Sequence, residues 1–215
     1  MTTIFEDYLA AADAAVTLLA SDEVATGWDA PSACAGFTVG GLAAHLGWQV
    51  QSARWALGSP RPAPDAPVTA LLEHYAVAAW ITAGVDEPVN VGIKESGEER
   101  SKAGPAEVAR LTREAREAVA GLLAAIAPTE VVAVPWIEGR AMTAADLLST
   151  RLMELLVHGD DLAASVGVPT AKVTDAAYER VNDLLVRLAA HRHGPVAVLR
   201  TLSRTERAPK TVSAF

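Results

Sequence analysis

Arg151, Glu154, His158 and Asp161 stand 3, 4 and 3 residues apart in the run Arg151-Leu152-Met153-Glu154-Leu155-Leu156-Val157-His158-Gly159-Asp160-Asp161-Leu162. On a helix this spacing puts all four along one stripe. Leu147, Leu148, Leu155 and Leu162 surround that stripe, so the polar row lies on or beside the face that packs inward, where a charge needs a partner. Glu154 and His158, at i and i+4, can offer a carboxylate oxygen and an imidazole nitrogen to one metal ion, as helical bundles do when they build metal sites from facing helices. A third ligand must come from elsewhere in the chain. His45 is the best candidate, inside the run Leu42-Ala43-Ala44-His45-Leu46-Gly47-Trp48. Two His and one Glu leave a coordination position open, which suits a catalytic zinc or another divalent metal, whereas structural zinc usually takes four protein ligands. The same spacing also serves a surface pair or a satisfied salt-bridge network.

The neighbours admit two readings each. Asp161 can hold the second imidazole nitrogen of His158, or pair with an adjacent helix. Arg151 can bind a substrate carboxylate with its two-pronged guanidinium, or neutralise Glu154 one turn away. Gly159 in mid-helix costs about 1 kcal/mol against Ala, which points to a close approach for packing or for a ligand. His191 and His193 read as basic residues at a helix C-terminus, and His74 as a helix-surface histidine. Trp48, Trp55 and Trp136 are candidate pocket walls and equally candidates for ordinary packing.

The elements that must position these residues are helical. Ala, Leu and Glu dominate the periodic stretches and strict alternation of β-branched residues is nearly absent, which predicts an all-α protein. A first helix is expected from about Ile4 to Ala20. Three later helices share one start device: Thr38, Thr143 and Thr174 are N-cap candidates, each with an apolar residue before it and another four residues after. The first of these should reach Leu57, the second Gly167 and the third about His193. Val68 to Val85 and Pro105 to Ile126 also have helical periodicity, giving about six helices. Asn90 to Gly104 is polar and carries glycine, so it reads as a loop, a lid candidate or a solvated connector. Val131 to Trp136 reads as a short extended piece. The economical architecture is one helical-bundle domain over residues 1–194, with residues 195–215 as a C-terminal tail that packs on the bundle or is partly mobile.

Composition narrows the function classes. The chain has 215 residues, 18 Lys and Arg against 26 Asp and Glu, and a net charge of −8, which argues against nucleic acid as its main partner. With 51% hydrophobic and 20% charged residues it is globular. The N-terminus lacks a basic region before an apolar run, and the most apolar stretches fall short of the roughly 20 residues that span a bilayer, so a cytoplasmic protein without a membrane partner is expected. A homodimer is the base-rate expectation for assembly. The single cysteine, Cys34, excludes an internal disulfide and any cysteine-rich zinc module. A metal site must therefore use histidine and carboxylate, and reactive sulfur, where the chemistry needs it, must arrive with a cofactor.

Trp28 to Gln49 (WDAPSACAGFTVGGLAAHLGWQ), Gly139 to Pro169 (GRAMTAADLLSTRLMELLVHGDDLAASVGVP) and Val198 to Phe215 (VLRTLSRTERAPKTVSAF) together resemble the mycothiol-dependent maleylpyruvate isomerase family, part of the DinB-like group of metal-binding four-helix bundles. Carried over residue by residue, that family's zinc ligands fall on His45, Glu154 and His158. The resemblance implies an up-down-down-up four-helix bundle with additional short helices, a metal at one end of a pocket, and the thiol cofactor mycothiol. Many relatives have an acidic residue soon after the Thr-Val helix start, where this chain has Gly40-Gly41, so the first turn of the His45 helix is expected to lack a favourable charge. Some relatives carry a further sterol-carrier-like domain, for which the residues after Gly194 are too few. The expected activity is metal- and thiol-dependent attack on a small electrophile, as S-transferase or cis-trans isomerase, with Arg151 steadying an anionic group. The alternatives are hydrolysis by metal-activated water, and a non-catalytic bundle that binds a small apolar ligand or a partner protein.

Overall fold

The computed structural model describes residues 2–84 and 86–215. Four long helices make the frame: α1 (Ile4–Leu19), α3 (Val39–Gly58), α7 (Pro105–Leu123) and α8 (Ala144–Val166). Helix α1 packs against α7 and α8, and α3 packs against the same two, closing a ring around one core. The all-α expectation holds, in a DinB-like bundle. Around it stand α9 (Asp175–His193), as long as α7, and the shorter α2 (Asp22–Thr26), α4 (Leu71–Ala76), α5 (Ala79–Thr82), α6 (Pro88–Ser101) and α10 (Pro195–Ser203), with a 3-10 turn at Thr205–Arg207. Among the described residues no helix is long and apolar enough to cross a membrane.

The three threonine caps form as the spacing predicts. The hydroxyls of Thr38, Thr143 and Thr174 accept from the backbone N–H groups of Gly41, Asp146 and Ala177, each satisfying a donor that a helix start otherwise leaves open. Helix α8 ends where Gly167 takes a left-handed conformation, φ 74°. Leu147, Leu148, Leu152 and Leu162 of α8 are fully buried in the ring, and each such side chain contributes about 1.5–3 kcal/mol when removed from water. That apolar face fixes the rotation of α8, and the rotation carries Glu154 and His158 to the rim of the core.

Two expected elements differ. The segment Asn90 to Gly104 is not a loop: most of it belongs to α6, begun by Pro88 in the first turn. Its inward face carried no hydrophobic signal because Gly97 and Ser101 are its buried residues, and Gly97 lies so close to the ring of Phe37 and the carbonyl of Gly41 that a Cβ there would sit 2.7 Å and 2.8 Å from them. The periodic stretch from Val68 is not one helix either. Thr69 N–H donates to Ala141 O at 2.8 Å and Val68 bridges Ala141, so this start is extended, and the helical remainder divides into α4 and α5 around Val77 and Ala78. Val85, the expected end of that helix, lies outside the described residues. The chain thus has ten α-helices among the described residues rather than six.

The expected extended piece is β1 (Val131–Ala133), paired antiparallel with β2 (Ala141–Thr143) in the register Val131↔Thr143, Val132↔Met142, Ala133↔Ala141. The hairpin tip carries Trp136 and Arg140.

The charge missing from the first turn of α3 comes from another helix. Glu98 of α6 accepts the Thr38 N–H at 2.8 Å and the Thr38 hydroxyl at 2.9 Å, which is the role a glutamate three residues after the cap plays in a capping box. A Cβ at Gly41 would overlap that carboxylate, so the glycine makes room for it. Glu98→Ala is expected to cost about 1 kcal/mol, the usual worth of a cap. Gly41→Glu placed in the Glu98→Ala background should recover most of the loss, by returning the carboxylate to α3 itself; thermal melts of the two variants check this.

A second buried network joins α1 to α9. Asp7 is fully buried; it accepts from Thr2 Oγ1 at 2.5 Å, Thr174 Oγ1 at 2.6 Å and Arg180 Nε at 2.7 Å. Burial alone would raise its pKa, but the hydrogen bonds from Thr174, Thr2 and Arg180 outweigh it and hold the carboxyl below its ordinary value. Its stabilising contribution is therefore complete above the unfolded pKa of about 3.9 and is lost as pH falls through the lower folded value. Asp7→Asn is expected to lose about 1–3 kcal/mol at neutral pH, or roughly 2–4 °C in Tm per kcal/mol, and to melt with a flatter acid limb than wild type. Melting curves from pH 3 to 7 test both points.

Candidate metal centre and cavity

His45 projects from α3, about two turns after the Thr38 cap, and Glu154 and His158 project from consecutive turns of α8. Their rings and carboxylate meet at the rim of the core. His158 Nε2 lies 3.2 Å from Glu154 Oε2, His45 Nε2 lies 3.7 Å from the same oxygen, and the two imidazole rings are edge to face with centroids 4.9 Å apart. One donor atom from each residue falls within 4.8 Å of the other two. His158 Nδ1 is 3.0 Å from Asp161 Oδ2, which fixes the ring and leaves Nε2 facing the cluster.

The electrostatics follow from burial and these contacts. Burial pushes the Glu154 carboxyl up, yet the imidazoles of His158 and His45 with the nearby charge of Arg151 hold it well below the usual carboxylate range. Burial dominates at His45, which is shifted down despite Glu154. At His158 burial also works downward, but Asp161 and Glu154 together outweigh it and raise the imidazole to about 9. The donor set fits a divalent ion: an ionised carboxylate between two imidazoles, one of them oriented by a second carboxylate. Cys34 Sγ also lies within 4.8 Å of donor atoms of His158 and Asp161. Burial first, and Asp161 next, push that thiol up, so it is a poor nucleophile at neutral pH.

The cluster forms part of the wall of a cavity of about 870 Å³. Trp48 and Trp136 line this cavity, as does Arg151, so the structure brings these expected residues to one place. Trp55 takes the packing reading: it is 47% exposed and lines a separate groove with Gly58 and Leu122, its ring centre 6.1 Å from those of Trp48 and Trp136. Arg151 does not neutralise Glu154 by contact, since no ion pair joins them among the described residues; its guanidinium reaches Gln49 and lies 5.4 Å from the Trp136 ring centre. Gly159 answers to no close approach, because a Cβ there would meet nothing within 4 Å. His191 is exposed, and His193 Nε2 sits 2.8 Å from Ser213 O.

The family model described as mycothiol maleylpyruvate isomerase N-terminal domain matches residues 9–163. The chain belongs to this family. The matched span contains the whole His45, Glu154 and His158 cluster and most of the frame. No curated protein and no solved structure gives a match. The mycothiol maleylpyruvate isomerase name is that of an enzyme and associates this chain with a low-molecular-weight thiol.

Several polar residues of this family member's cavity escaped sequence reasoning. His74 is buried, not on the surface; its Nδ1 is 3.5 Å from Arg140 Nη1, and burial with the charges of Arg151 and Arg140 lowers it to about 4. Tyr75, Trp80 and Phe215 form a ring cluster on another wall, with Trp80 and Phe215 centroids 5.0 Å apart. Gln49 is 1% exposed and touches both His45 and Arg151. Its signal was available: it lies four residues after His45, on the same helical face.

Proposed function

We propose that this cavity is the active site of a zinc-dependent or other divalent-metal-dependent enzyme that uses mycothiol against a small anionic electrophile, as an S-transferase or a maleylpyruvate-type cis-trans isomerase. The observation that carries this reading is the convergence of three donor atoms, two imidazole and one carboxylate, in the wall of a cavity that also bears Arg151. His45, Glu154 and His158 would hold the ion. When bound, the ion and the thiol together supply a sulfur nucleophile at neutral pH, without a strong protein base.

The chain's own residues do the rest. Glu154 brings the negative charge that offsets a divalent cation, and Asp161 holds the His158 tautomer. Arg151 presents a fixed guanidinium to an anionic group of the electrophile. Lys94, Arg140 and Arg192 also line the cavity, while Glu154 is the only acidic side chain among the described residues of its lining, so an acidic protein carries a chamber rich in cationic side chains. Such a chamber attracts anions by focusing the field between low-dielectric walls. Trp48 and Trp136 exclude water and flank the ligand. Residues 195–215 belong to the same unit in this reading, because Phe215 closes one wall.

Asp161→Asn is expected to weaken zinc binding by about 10- to 100-fold, the usual effect of losing the carboxylate that orients a ligating histidine. Competition with a chromophoric chelator measures it. The function itself is tested by turnover of electrophilic unsaturated acids with and without mycothiol. Turnover that requires the thiol supports the proposal, and turnover undiminished in its absence favours the metal-activated-water hydrolase instead.

A further inference from the structure

Arg151 and Glu154 are three residues apart on one face of α8, the spacing at which opposite charges on a helix meet. Arginine's two-pronged donor matches a carboxylate, and the attraction is stronger at a half-dry cavity wall than in water. A pairing of that kind would occupy the oxygens of Glu154 and withdraw the guanidinium from the cavity. Among the described residues it does not form. Arg151 Nη1 donates instead to Gln49 Oε1 at 2.6 Å, Arg151 Nε donates to Thr150 Oγ1 at 3.0 Å, and the guanidinium lies toward the face of Trp136.

Gln49 is placed for this by α3. Its Nε2 donates to the His45 carbonyl at 3.0 Å and stands 3.1 Å from His45 Nε2. Its Oε1 is thereby turned toward α8, where Arg151 meets it. The amide is uncharged, so it takes hydrogen bonds from the arginine without competing with Glu154 for a cation. When a metal takes His45 Nε2, the carbonyl of His45 remains as the anchor for the Gln49 amide.

We propose that Gln49 is a positioning residue which holds the Arg151 guanidinium away from Glu154, keeping the carboxylate open to a metal and the arginine open to an anion. This rests on the reading of His45, Glu154 and His158 as metal ligands. In this proposal Gln49 is not a metal ligand; it acts through Arg151.

The test is zinc affinity by chelator competition, with a thermal melt for every variant. Gln49→Leu keeps the volume and removes the acceptor, and should weaken zinc binding by about tenfold or more, in the range of other supporting residues at metal sites. Gln49→Glu keeps an acceptor oxygen for Arg151 and should bind zinc at least as tightly as wild type. The double variant Gln49→Leu/Arg151→Met has no guanidinium to collapse onto Glu154 and should return to within about threefold of wild type, a coupling that a double-mutant cycle isolates. Gln49→Met serves in place of Gln49→Leu if the latter does not fold. Unchanged zinc affinity in Gln49→Leu overturns the proposal, and so does a weakened Gln49→Leu that Arg151→Met does not restore. A wild-type protein that binds no zinc overturns instead the metal reading beneath it.

Discussion

Replacing His158 with alanine is expected to reduce zinc affinity by on the order of 100- to 1000-fold and to abolish thiol-dependent turnover. A four-ligand zinc site is worth roughly 10–16 kcal/mol, so one protein ligand carries about 2.5–4 kcal/mol. The loss at this position compounds a second one, because Asp161 then has no imidazole to orient. The variant should still fold. Leu155 and Leu162, which flank His158 on α8, are buried in the ring, whereas the His158 side chain sits at its rim with 18% of its surface exposed. The clearest readout is the stabilisation that added zinc gives: a ligand that binds only the native state raises the Tm in proportion to the logarithm of its concentration over Kd. Wild type should show that rise, and His158→Ala should show it only at zinc concentrations on the order of 100- to 1000-fold higher.

Arg151→Met is the second large effect, and it should separate from the first. The guanidinium is held by Gln49 and Thr150 and steadied beside Trp136, so its direction is set before any ligand arrives. A preset charge in a partly dry site is worth about 2–5 kcal/mol to an anion that pairs with it. Its loss should therefore lower kcat/KM for a carboxylate-bearing electrophile by roughly 30-fold to 5000-fold. Zinc content should stay at the wild-type level, since Arg151 donates to no ligand atom. Turnover of an uncharged electrophile should fall much less, and that contrast between substrates is the measurement. Equal losses on charged and uncharged electrophiles would mean that Arg151 supports the fold of the site and does not bind the anion.

The parts of the molecule that follow local rules were legible before the structure. A threonine flanked by apolar residues marks a helix start wherever the next turn needs its hydroxyl, and Thr38, Thr143 and Thr174 all cap. The stripe of Glu154, His158 and Asp161 is a matter of spacing along one helix, and His45 stood out as the histidine inside a capped apolar helix. What the sequence hid is what depends on other segments. Glu98 completes a cap that lies 60 residues earlier, and it can do so only because Gly41 and Gly97 let two helices approach closely. A packing face made of glycine and serine leaves no hydrophobic periodicity, so α6 read as a loop. His74 and Arg140 meet through a hairpin and a helix 66 residues apart, and neither has a local signature. Trp55 lies seven residues after the wall residue Trp48 on the same face of α3, but two turns further along, where it lines a different groove near the end of the helix; spacing gives the face and not how far along it the cavity reaches.

The most direct test of the account is the metal content of the purified protein, by elemental analysis, in wild type and in Glu154→Gln, followed by a mycothiol titration of each. The substitution keeps the shape of the side chain and removes the charge that a divalent ion needs at the centre of the cluster. Wild type should carry about one equivalent of metal and bind the thiol in a metal-dependent manner, as one three-ligand site predicts, while Glu154→Gln should carry almost none and bind the thiol weakly. Equal metal content in the two proteins, or none in either after loading with zinc, would contradict a centre built on His45, Glu154 and His158.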